Sequence, residues 1–283
     1  MTKPAFAATL HDPDGRMVEP ARAVGASLWK RYSSAHIVAT PQTASELITL
    51  LSEAGAEIST GADSRIGAGR RQVLSDAVQA GASAVHYCDF DRLIHWLRVA
   101  PPELQAVLDQ LTAARTFEFL ILGRTAAAFG THPRVQRETE TVTNHAFSAW
   151  FGHPADVGAG SCGVTAEGAA LIAEHSDEPT NATDAEWPAI VQCLAPGRVR
   201  YRATEGLSFE TADYFMAEIR RAGGEVQWQE QVYEQPAMWL QRLELSHNSV
   251  RAMLAVAKRL GSASPPTPSP RVREGEPAVG ERG

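Results

Sequence analysis

The sequence predicts an α/β protein, a three-layer α-β-α sandwich around a mainly parallel sheet. Three observations lead there. From about residue 34 to 125, short apolar runs alternate with segments of helical period, in strand-helix-strand order. Several of those helical segments carry their own start or stop signal. The composition, 44% hydrophobic and 21% charged over 283 residues with a net charge of −7, is that of a globular chain able to bury a core without disulfides or structural metal.

Taken in order, Ala35 to Ala39 reads as a buried strand. Thr43 to Ala54 reads as a helix, opened by the capping box Thr43-x-x-Glu46 and closed by Gly55. Glu57 to Thr60 is a second strand. Arg70 to Ala80 then sets Val73, Leu74, Ala77 and Val78 on one face and stops at Gly81, and Ala84 to Cys88 is the third strand. A helix from Pro102 to Arg115 leads to the strand Phe117 to Leu122. Right-handed crossovers make such an order parallel, and ligands of these sheets bind beyond the carboxyl ends of the strands. In the second half, helical patterns at Glu138 to Trp150, Thr165 to Glu174, Asp184 to Leu194 and Thr211 to Ala222 surround a glycine-rich stretch, Gly158 to Gly163, and a strand at Val199 to Arg202. Leu240, Leu243, His247, Val250, Met253, Leu254 and Ala257 trace the apolar face of a long helix ending near Leu260. Residues 1–260 are expected to form one domain, with one half at about 34–125 and a second at about 126–260 that completes the sheet and builds the far side of a cleft. Residues 261–283, with five Pro and four Gly, are expected to be a disordered tail.

Charge and cysteines exclude other classes. A net negative chain has no global attraction to nucleic acid, which is therefore not expected as a partner. Of 26 basic residues only Lys3, Lys30 and Lys258 are lysines, and the arginine excess either reflects base composition of the gene or serves phosphate. Cys88, Cys162 and Cys193 are odd in number and far apart, which favours a reducing, cytoplasmic setting. No apolar run approaches the roughly 20 residues of a membrane span, and residues 1–26 lack a signal-peptide pattern.

The segment richest in chemistry is Val85-His86-Tyr87-Cys88-Asp89-Phe90-Asp91-Arg92. Acidic residues at i and i+2 directly after a strand are expected on the same side, with roughly 6 to 7 Å between alpha carbons. Asp89 and Asp91 are then able to share one hard divalent ion, Mg²⁺ or Mn²⁺, completed by a substrate diphosphate. The alternative is a solvated acidic turn. A phosphatase of the haloacid-dehalogenase type also starts with strand-D-x-D, but the only later lysine is Lys258, and Leu93 stands where Thr or Val is usual. A zinc site on His86 and Cys88 is disfavoured, because alternation sends both away from the aspartates.

From about Ala35 to Phe209 the chain resembles glycosyltransferases of the GT-A fold, particularly family-2-like enzymes. The resemblance rests on the order of parts: a first strand, a second ending near Asp63, Gly67-Ala68-Gly69-Arg70-Arg71 opening a helix, the Asp89-Phe90-Asp91 strand end, a strand closing on Gly123-Arg124, Asp156 before Gly158-Ala159-Gly160-Ser161, and Thr183-Asp184-Ala185-Glu186-Trp187. It implies a nucleotide-diphosphate sugar as donor. It further implies that Asp91 ligates the metal, that Asp89 lies near the ribose or a metal-bound water, and that Thr40, Pro41 and Asp63 contact base and ribose. The Q-x-x-R-W motif of processive polysaccharide synthases is absent, so a single transfer is expected rather than polymerisation.

Other residues carry competing readings. Gly67, Gly69 and Arg70 either place helix N–H groups on a phosphate or form a plain turn. Arg92, beside the acidic pair, is the arginine expected to meet the diphosphate. Glu186 is either the far half of a capping box with Thr183 or a general base. Asp184 either favours the helix dipole or is that base, and the resemblance favours Asp184. Asp156 is the runner-up, as an acceptor-binding or basic group. Trp96, Trp150, Trp187 and Trp228 are either core or sugar-stacking platforms. The function expected is a metal-dependent transfer of sugar to a small-molecule or lipid-linked acceptor. The alternatives are a sugar-phosphate nucleotidyltransferase, whose usual glycine-rich loop is replaced here by Ala39-Thr40-Pro41-Gln42-Thr43, and a non-catalytic nucleotide-sugar-binding protein of the same fold.

Overall fold

A computed structural model describes residues 3–25, 28–61, 65–113 and 116–261. The first elements in chain order are β1 (Ala5–Leu10), α1 (Val18–Val24), β2 (Ala35–Ala39), α2 (Ser45–Glu53), β3 (Glu57–Thr60), α3 (Ile66–Gln79), β4 (Ala84–Cys88), α4 (Phe90–Val99), α5 (Pro101–Thr112) and β5 (Phe119–Arg124). They are followed by α6 (Ala126–Gly130), α7 (Arg134–Phe151), β6 (Ser161–Thr165), α8 (Ala166–His175), α9 (Thr183–Leu194), β7 (Val199–Thr204), α10 (Met216–Ala222), α11 (Glu225–Tyr233) and α12 (Pro236–Leu260). Residues 262–283 lie outside the described chain, and so does the expectation of a disordered tail.

One sheet takes strands from both predicted halves in the order β3-β2-β1-β4-β6-β5-β7. All neighbours are parallel except β6, which runs antiparallel to β4 and β5. The sheet is thus mainly parallel, as expected. Alternating side chains feed two cores. Phe6, Ala8, Leu10, Ile37, Cys88, Leu120 and Leu122 pack beneath α1, α2, α4 and α5. Ala5, Ala7, Val38, Val85, Tyr87, Phe119, Ile121 and Val164 pack beneath α3, α7, α8, α9 and α12. Trp96, Trp187 and Trp228 are buried in these cores or in a third around Phe209 and Tyr233.

Several expectations are corrected. The strand expected first is second, because Ala5–Leu10 forms a central strand between β2 and β4. The capping box at Thr43 is not made: Ala44 is the N-cap of α2, and the Thr43 hydroxyl donates to the Leu10 carbonyl at 3.1 Å. α3 opens at Ile66, before Arg70. The glycine-rich stretch runs directly into the strand β6. The chain enters α4 straight after Asp89, so Asp91 stands in the first turn of a helix and the strand geometry expected for the pair does not apply.

α12 is present, but its expected apolar stripe is divided, with Met253 buried, Val250 against the core and the leucines outward. Its packed side carries Ser246, Ala252, Met253 and Val256, whereas Leu240, Leu243 and Leu254 are 60%, 53% and 53% exposed.

Candidate active site

At the carboxyl ends of β1, β2 and β3 lies a largely apolar hollow, walled by Leu10, Val38, Ala39, Ile66 and Gly69 with Thr9, His11 and Thr40 at its rim. His11 Nδ1 is 2.8 Å from the Thr40 hydroxyl. A methyl group on Gly69 would come within 3.2 Å of Thr9 Cγ2, so the glycine lets α3 lie close over β1. Pro41 is exposed and does not line this hollow. Asp63 lies outside the described residues. His11 belongs to the loop after β1, and sequence reasoning missed it because it missed that strand.

The next turn of α3 leads into a second, polar cavity. Arg70 is 2% exposed and donates to the Thr183 hydroxyl at 2.9 Å, to Asp184 Oδ1 at 2.6 Å and to both oxygens of Asp89 at 3.2 and 3.4 Å. Tyr87 donates to Asp89 from the strand at 2.9 Å. One guanidinium therefore ties the end of β4 to the start of α9. Gly67 permits this, since the chain at 178–179 runs against it and the Gly67 amide donates to the Pro179 carbonyl at 3.0 Å. That amide is spent on the fold, so the expected phosphate cradle at the start of α3 lacks it.

Around Arg70 the cavity is lined by Asp89, Arg92, Asp184, Glu140, Asn144 and Glu210, and by Thr139, Thr143, Arg242 and Ser246 from α7 and α12. Arg92 Nη1 is 3.3 Å from Glu210, and its Nε is 3.9 Å from Asp89. The Asp91 carboxylate accepts from the Arg92 amide at 2.8 Å. Burial, with Glu210 and Asp89 nearby, pushes its pKa up to about 7. The segment carrying Glu210 is pinned to α4: Tyr214 donates to the Asp91 carbonyl at 2.9 Å, and His95 lies 2.6 Å from Asp213 and 2.8 Å from Ser208. Asp184 has its pKa raised to about 6, chiefly by burial against the pull of Arg70.

Two expected bases are not available. Glu186 is 3% exposed, accepts from the Ser176 hydroxyl at 2.5 Å and from the amides of Asp177 and Glu178 at 3.3 Å, and so braces the 176–178 loop. It forms no capping box with Thr183 either, since Ala182 is the N-cap of α9. Asp156 accepts from Arg124 through the backbone amide, Nε and Nη2 at 2.9, 2.7 and 2.8 Å, and from Asn144 at 2.8 Å. Those bonds hold its pKa below the usual carboxylate value despite burial. It anchors the loop before β6 and holds no spare lone pair for an acceptor proton. His86 is a buried strand residue, 2.9 Å from the Tyr32 hydroxyl.

Among the described residues no three His, Cys, Asp or Glu side chains converge as a metal cage. Two crowded carboxylates, one with a raised pKa, nevertheless fit a hard cation that takes its other ligands from a bound diphosphate and water. Glu140, Glu210 and Arg242 were not anticipated. They stand outside any short motif and meet only through the fold.

No protein-family model matches the sequence, and a search of curated proteins finds no match. Solved structures are similar in fold. The glucosyl-3-phosphoglycerate synthase of Mycobacterium tuberculosis with Mn²⁺, UDP-glucose and glycerol 3-phosphate aligns with a TM-score of 0.57 at 9% identity, over 90% of this chain and 80% of that one. Its complex with Mn²⁺, UDP and phosphoglyceric acid gives 0.56 at 10% identity, over 90% and 78%. Its phosphoglyceric acid complex gives 0.55 at 8%, over 91% and 80%. The chain thus has the GT-A fold expected from its motif order.

Proposed function

We propose that this protein is a metal-dependent glycosyltransferase that moves a sugar from a nucleoside-diphosphate sugar to a small-molecule or lipid-linked acceptor. The observation that carries the reading is the position of the Arg70–Asp89 pair. Gly69 lines the apolar hollow and Arg70, the next residue, lines the polar cavity, so a donor with its nucleoside in the first would lay its diphosphate across Asp89 and Arg92, beside Asp91 in the first turn of α4. The likeness in fold to an enzyme solved with UDP-glucose and Mn²⁺ supports the same donor class.

A divalent cation held by Asp91, and by Asp89 directly or through water, would offset charge gathering on the leaving diphosphate. The chain's own residues supply the rest. Arg70 fixes Asp89 and Asp184 in one frame, and Arg92 adds a cation beside the same charge. Asp184 gives one oxygen to Arg70 and keeps the other for the acceptor. As the acceptor hydroxyl attacks the anomeric carbon, the bond to the diphosphate breaks and the hydroxyl proton passes to Asp184. Thr143 lines the same cavity, where its hydroxyl would meet a hydroxylated acceptor.

Thermal shift with UDP, GDP and other nucleoside diphosphates, with and without Mn²⁺, tests this directly. Stabilisation is expected only with nucleotide and metal together, and Asp91→Ala is expected to lose the metal-dependent part. Melting unmoved by every nucleotide at millimolar concentration, or donor turnover retained by Asp91→Ala, sinks the reading.

A further inference from the structure

We propose that α12 is a self-association surface, pairing antiparallel with α12 of a second copy of this chain. Leu240, Leu243, His247, Val250, Leu254 and Ala257 recur at intervals of three, four, three, four and three residues. That is the 3.5-residue repeat of a coiled-coil seam. The packed side of α12 lies elsewhere, against α7 and α9 through Ser246, Ala252, Met253 and Val256. Along the seam Leu240, Leu243 and Leu254 are each more than half exposed, while Val250 and Ala257 are half-buried and Val250 borders the core. Three large apolar side chains in register along a helix about 38 Å long are unusual on a surface with no partner.

A second copy fits because the seam is complementary to itself when reversed. An antiparallel pair centred between His247 and Val250 sets Leu243 against the partner's Leu254, Leu240 against the partner's Ala257, and His247 against the partner's Val250. Each layer occurs twice by symmetry. The same alignment brings Glu244 within about two residues, roughly 3 Å along the axis, of the partner's Arg251. Neither Glu244 nor Arg251 has an ion pair among the described residues, so this pairing gives two reciprocal charge contacts along the free flank.

Sedimentation of the full chain over a range of concentrations tests the surface. Wild type is expected to dimerise, and Leu243→Glu with Leu254→Glu to raise the dissociation constant by more than about 100-fold, since each layer then buries an unpaired carboxylate. These positions are exposed in the monomer, so the variant should keep the wild-type circular dichroism. Glu244→Arg is expected to weaken the dimer and Arg251→Glu in the same chain to restore it. Orientation is read by a thiol cross-linker in a Cys193→Ser background: Leu243→Cys mixed with Leu254→Cys should cross-link, and neither alone. A chain monomeric at every concentration, a dimer indifferent to the two Leu→Glu changes, or cross-linking by Leu243→Cys alone overturns the proposal.

Discussion

Asp91 sits where an ionised carboxylate is least comfortable, partly out of water and facing Glu210 and Asp89. Its pKa in the folded chain, about 7, lies above the unfolded value near 3.9, so the folded state holds the proton more tightly. Stability from this group is therefore full below pH ~4 and is lost as pH rises through 7. Asp91→Asn is expected to abolish metal-dependent activity yet gain ~1 to 2 kcal/mol at pH 8, a gain that vanishes near pH 4. Urea unfolding at the two pH values checks this. Asp184 titrates near 6, so turnover should fall as pH drops through 6, and Asp184→Asn should lower kcat by roughly 10²- to 10⁴-fold. Asp156 behaves oppositely. Asp156→Ala leaves the fully buried Arg124 with Glu140 as its remaining carboxylate partner, and a loss of ~3 to 5 kcal/mol is expected by denaturant unfolding. That Asp89 and Asp184 lie near the ligand edge was legible because each stands at the end of a readable strand or helix; the helical turn that carries Asp91 was not. Glu186 and Asp156 were misread because a sequence shows a carboxylate but not the donors that surround it.

At the scale of elements, β2, β4 and α9 were legible from apolar runs and period, and β1 was not. Ala-Phe-Ala-Ala-Thr-Leu is short, alanine-rich and buried on both faces, so it shows neither alternation nor strong strand propensity. α12 was found from its period, yet Leu240, Leu243 and Leu254 of that stripe face out and only Met253 and Val250 reach the core, because small residues such as Ser246 and Ala252 suffice for close helix packing. The junction of α3 with the 178–179 chain gives a further test. A methyl group on Gly67 would lie 2.0 Å from the Glu178 carbonyl oxygen, which is backbone and cannot rotate away. Gly67→Ala is expected to cost at least ~2 kcal/mol in urea unfolding and to loosen the Arg70–Asp184 contact that this junction holds.

Across the whole molecule, β1 and β4 lie within the sheet with partners on both sides, while β3 and β7 are its edges. Amide hydrogen exchange should be slowest in β1 and β4 and faster in β3 and β7, and a protected β3 would contradict this arrangement. The reversed strand β6 has a different consequence. Because it runs against its neighbours, the chain that leaves the ligand edge at Arg124 returns to that edge at Gly160, whose carbonyl accepts from the Asp89 amide. The Arg124–Asp156 ion pair clasps this excursion at its base, as a drawstring closes a pouch. Residues 125–155 thus begin and end at one edge, so a change of length in their surface turns, away from Phe147 and Phe151 that seat α7 on the sheet, leaves the register of the strands unaltered.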